Sequence, residues 1–73
     1  MDLVAQQVYE MDSALYNDLR NVIGADTWTF ERMYDSYCSD GVHGLKKFFV
    51  IEECVEFELF ERLKKVLNDI KTK

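Results

Sequence analysis

The sequence predicts an all-α fold, one small domain built as a bundle of three helices. Three observations predict it. Apolar residues recur at three-and-four spacing over most of the chain, the period of a helix that buries one face. No proline occurs in the 73 residues, so nothing in the chain forbids long helices. Only three glycines, Gly24, Gly41 and Gly44, punctuate it, and they leave segments of helical length between them.

The first helix is expected over residues 3–23. Val4, Val8, Met11, Leu15, Leu19, Val22 and Ile23 fall on one face. Asp2 suits the cap, because a carboxylate accepts from the unpaired amides of a first turn. Gly24 suits the left-handed residue that follows a helix end. The second helix is expected over 28–38, where Phe30, Met33, Tyr34 and Tyr37 stand at i, i+3, i+4 and i+7. Asp26 or Thr27 suits its cap, and Ser39-Asp40-Gly41 is its stop.

The third helix belongs to residues 42–71. Leu59, Leu63, Val66, Leu67 and Ile70 form its stripe. Glu58 with Arg62, and Glu61 with Lys65, are spaced as favourable i, i+4 ion pairs. Glu52, Glu53 and Glu56 precede Lys64, Lys65, Lys71 and Lys73, a gradient that complements the dipole of a helix beginning near 52. The run Leu45–Ile51 reads either as one or two turns of helix or as a short buried strand. Helix is favoured, with a kink near Glu52, because a lone strand has no obvious partner.

Size and composition narrow the class. A domain of this length hides only about 60% of the surface its unfolded chain exposes. Ten aromatics are too many to bury fully in such a core, so some are expected at the surface or between subunits, and a homodimer is expected. Cys38 and Cys54 form no CxxC pair. The start, MDLVAQQVYE, reads as no secretory signal, and no segment reaches the roughly 18 apolar residues of a membrane span. A reducing cytoplasm with free thiols is expected, with no membrane partner.

Charge is unevenly divided. Residues 1–40 carry eight carboxylates against Arg20 and Arg32, a net of −6, whereas residues 41–73 carry six against seven, a net of +1. Net charge bears on partners rather than on fold. DNA binding demands a basic face to neutralise phosphates. The lysines of the last helix, with Lys46, Lys47 and Arg62, are the only material for one, and they share a compact domain with the acidic half. Nucleic acid is therefore not the expected partner, although a regulator using the C-terminal lysines is an alternative.

Catalytic and metal motifs are incomplete. No phosphate loop or EF-hand is present, since Gly41-Val42-His43-Gly44 lacks the glycines and lysine of the one, and Lys47 stands where the other needs a chelating glutamate. His43, the only histidine, with Cys38 and Cys54 falls short of a four-ligand zinc site, and it reads as a turn residue. Cys54 reads as a small core residue. Glu52 and Glu56 interrupt the apolar seam of the last helix when it is extended backwards. They are either an exposed bundle edge or a cation site. Glu52-Glu53-Cys54-Val55-Glu56 resembles the EExxE half of the metal site in all-α nucleoside-triphosphate pyrophosphohydrolases. The resemblance covers five residues and implies Glu52, Glu53 and Glu56 as magnesium ligands of a nucleotide-hydrolysing oligomer. The ExxD half of that pattern is missing, with Val66 where a glutamate would precede Asp69.

No complete catalytic set and no cofactor site remain. The expected function is a small acidic, non-catalytic protein-binding module, an adaptor or an inhibitor of a partner with a basic surface, such as a nucleic-acid enzyme. Small phage-encoded inhibitors are similar in size and acidity. The expected partner-binding residues are Asp12, Asp18, Asp26, Glu31 and Asp35 with Tyr16, Trp28 and Tyr34. Aromatics supply interface anchors, and charge sets approach and specificity.

Overall fold

In the computed structural model, which describes residues 3–24 and 27–72, the first apolar stripe is carried by two helices instead of one. α1 spans Leu3–Met11 and α2 spans Ser13–Val22. Asp12 between them leaves helical geometry, at φ −156° and ψ 85°, and its carboxylate accepts from the Leu15 amide at 3.0 Å as the N-cap of α2. The cause is local: a short acid can offer its own side chain to the backbone and so starts helices better than it continues them. A straight helix over 3–23 would be about 31 Å long. The molecule measures 30 × 25 × 18 Å, and the bend lets Ala5 and Val8 of α1 and Leu15 and Leu19 of α2 all reach one core. Ile23 and Gly24 end α2, with Gly24 at φ +67°, as its position suggested.

α3 spans Thr27–Asp40 and buries Phe30 and Met33 completely, with Tyr34 and Tyr37 half-buried beside them. The caps expected of Asp2 and Asp26 lie outside the described residues, and Thr27 is the first residue of α3. Gly41, at φ +65°, turns the chain back into α4, Val42–Lys46. Gly44 faces the last turns of α3, and a Cβ there would collide with the backbone carbonyl of Ser36. Only glycine allows this approach, which places Leu45 in the core. His43 is thus helical rather than a turn residue.

Residues 47–53 form successive turns, so the favoured helix over 45–51 stops at Lys46, and no strand occurs among the described residues. Phe49 still reaches the core and packs edge-on against Phe60 at 5.6 Å. α5 spans Cys54–Thr72 and carries the expected stripe, with Leu59, Phe60, Leu63, Val66, Leu67 and Ile70 buried. The architecture is all-helical. It has five helices among the described residues in place of three, because Asp12 and the turns before Cys54 each break an expected longer helix.

Candidate functional site

The inner face of α3 is spent on Phe30, Met33 and Tyr37, which leaves Trp28, Glu31, Arg32 and Asp35 along its outer face at i, i+3, i+4 and i+7. Trp28 is 57% exposed, and the Arg32 guanidinium lies 4.9 Å from its ring centre. Beside this stripe, α1 and α3 border a cleft of about 420 Å³ lined by Leu3, Val4, Glu31, Tyr34 and Asp35. Leu3 and Val4 give it an apolar wall. Glu31 and Asp35 are exposed and form no ion pair among the described residues. They also share the cleft with the first turn of α1, whose positive dipole end favours nearby carboxylates. The Tyr34 phenol is raised above its usual range, first by its hydrogen bond with Cys38, then by burial and by Asp35. It therefore stays neutral at physiological pH.

The fold gathers Glu31, Tyr34 and Asp35 in this cleft, with Trp28 on the same helix. The other expected docking residues go elsewhere. Tyr16, expected at the surface, is buried. Its ring stacks on Phe30 at 5.2 Å, and its hydroxyl accepts from Arg20 at 3.3 Å. Asp12 and Asp18 are taken up by Arg62 of α5, at 3.3 and 3.2 Å. Burial lowers the pKa of that guanidinium, but its hydrogen bonds to Asp18 and Asp12 outweigh this and raise it overall. Arg62 thus crosses to α2 in place of the expected pair with Glu58. Asp26 lies outside the described residues.

The glutamates of the EExxE stretch do not converge. Glu52 and Glu53 are exposed, and Glu56 accepts from the Val50 amide at 3.2 Å. Among the described residues, no three His, Cys, Asp or Glu side chains stand close enough to hold a metal ion. Cys54 is exposed, contrary to its expected place in the core, and Cys38 is exposed on α3. The lysines are partly engaged within the chain. Lys64 pairs with Glu61 at 2.8 Å, in place of the expected Glu61–Lys65 pair, and lies over Phe60. Lys71 lies over Tyr37, and Lys47 pairs with Asp40 at 3.5 Å.

Two features escape the sequence pattern. One is the Arg62 tie to Asp12 and Asp18, which joins residues far apart in the chain. The other is the exposure of three large apolar side chains near the start of α5, Val50, Val55 and Phe57. Val50 lies in the turns before α5, and Val55 and Phe57 lie in its first turn. Among the described residues, no helix is long and apolar enough to cross a membrane. No protein-family model matches the chain, and no curated protein or solved structure shows significant similarity to it.

Proposed function

We propose that this chain is a small acidic, non-catalytic protein-binding module, an adaptor or inhibitor, that docks a basic surface of a larger protein through α1 and α3. One observation carries the reading. An apolar cleft is flanked by two carboxylates, Glu31 and Asp35, that form no ion pair among the described residues, with a solvent-facing Trp28 one turn away. Tryptophan, tyrosine and arginine concentrate binding energy at interfaces. The formal charge of −5 and the acidic rim favour approach of a basic partner. The exposed thiols suit a reducing compartment such as the cytoplasm.

The test uses the wild-type chain and a Trp28→Ala, Glu31→Gln, Asp35→Asn variant as baits in host extract, with bound proteins identified by mass spectrometry. Asp12 and Asp18 are left intact, because altering them breaks the Arg62 tie. Circular dichroism verifies that both baits are folded. The expected result is a basic-surfaced protein captured by the wild type and lost by the variant. Equal capture by both refutes the reading. Sedimentation of the wild type separates this docking from the alternative use of the same aromatic surface in a homodimer.

A further inference from the structure

The cleft between α1 and α3 sets a short apolar wall, Leu3 and Val4, against two carboxylates, Glu31 and Asp35, and Tyr34 lines it with them. Leu3 is 74% exposed, so the wall meets water. Glu31 and Asp35 stand one turn apart on α3, where like charges repel. Neither forms an ion pair among the described residues. Arg32, the one cation of α3, lies over the Trp28 ring at 4.9 Å. At about 420 Å³ the cleft stands near the low end of the roughly 300–1,000 Å³ of ligand pockets, which suits one long side chain better than a whole helix.

We propose, resting on the docking reading above, that the partner protein fills this cleft with an arginine side chain. The aliphatic stem of the arginine covers Leu3 and Val4, as long charged side chains do on apolar surface. Its guanidinium then lies between Glu31 and Asp35, with donors enough for both carboxylates. Tyr34 offers an aromatic ring to the same cation. Lysine fits less well, because its compact ammonium holds water more tightly and has no planar fork to share between two acids. A neutral side chain of the same shape leaves the repulsion between Glu31 and Asp35 in place. The lysines of a second copy are the chain's own competitors, but Lys64 and Lys71 already lie over Phe60 and Tyr37.

An NMR titration of the isotope-labelled 73-residue chain tests the proposal. The probe is a short arginine/leucine peptide, compared with the same peptide carrying lysine or citrulline in place of arginine. The expected result is saturable shifts of the Leu3, Val4, Glu31 and Asp35 amides with the arginine peptide. Binding of the lysine peptide should be roughly tenfold weaker, as the loss of one charge-assisted hydrogen bond implies, and the citrulline peptide should not bind. A Glu31→Gln, Asp35→Asn variant verified as folded loses the shifts, and Leu3→Ser weakens them. No shift with the arginine peptide overturns the proposal, as do equal binding of the lysine or citrulline peptide and shifts confined to residues outside the cleft. Shifts that grow with protein concentration alone assign the cleft to a second copy and also overturn it. The two readings fail separately. Equal binding of arginine and lysine refutes the arginine and leaves the docking surface standing, whereas equal capture from extract by the wild type and the triple variant refutes the docking surface itself.

Discussion

Replacing Arg62 with methionine keeps the aliphatic stem and removes the guanidinium that ties α2 to α5. Arg62, Asp12 and Asp18 side chains are 32%, 33% and 50% exposed, so solvent screens both pairs. Each exposed pair contributes about 0.2–1 kcal/mol, and the two together roughly 1 kcal/mol. Asp12 has a second role, since its carboxylate caps α2 at the Leu15 amide. Loss of an N-cap typically costs about 1 kcal/mol. The expected order of destabilisation is therefore Asp12→Ala at about 2 kcal/mol, Arg62→Met at about 1, and Asp12→Asn, which keeps an acceptor, at about 0.5. In a domain of this size 1 kcal/mol moves Tm by about 4–8 °C. Urea unfolding followed by circular dichroism measures each variant at low salt and at about 1 M salt, where the Debye length falls to about 3 Å. The Arg62 effect should shrink with salt and the cap effect should persist. Equal stability of wild type and Arg62→Met at low salt refutes the tie. Equal cost of Asp12→Asn and Asp12→Ala refutes the capping role.

Gly44→Ala drives a Cβ into the Ser36 carbonyl and should cost about 1–3 kcal/mol in thermal unfolding, as overpacking does. Gly24→Ala meets open space but a left-handed backbone, and about 1 kcal/mol is expected there. The raised Tyr34 phenol should ionise above the ordinary tyrosine range in an ultraviolet titration. Its contribution to stability is complete below the ordinary tyrosine range and is lost as pH rises through the folded value, because the unfolded chain releases that proton first. A Cys38→Ala variant should bring the phenol back towards its ordinary range. Trp28, the only tryptophan, should be quenched readily by iodide, which the adjacent Arg32 attracts. Weaker quenching in Arg32→Ala is the expected outcome, and a shielded indole in the free protein contradicts its position.

Patterns confined to one helix were legible in the sequence. The buried stripe of α5, the inner face of α3 and the left-handed glycine after α2 follow from spacing and from steric preference. The bend at Asp12 was hidden for a physical reason. The Asp12 amide still bonds to Val8 and the Tyr16 amide to Asp12, so the apolar period runs through the break with no slip. Glu56 was ambiguous because one carboxylate can hold a cation or satisfy a nearby amide, and the choice depends on how the turns before α5 close. The candidate cleft was half legible. Glu31, Tyr34 and Asp35 follow from the helix face, but the wall supplied by Leu3 and Val4 depends on how α1 folds back. Asp12, Asp18 and Tyr16 were misplaced because only tertiary packing decides whether an acid meets solvent or an arginine fifty positions away.

That separation of 50 residues between Asp12 and Arg62 has a consequence for folding order. The bend between α1 and α2 can form early from local contacts, yet the carboxylate that stabilises it meets its cation only after the last helix has docked. Closing so long a loop costs entropy before any contact rewards it. The bend and the last helix are therefore expected to open and close as one cooperative unit, so amides near residue 12 should exchange with solvent no faster than those around residue 62.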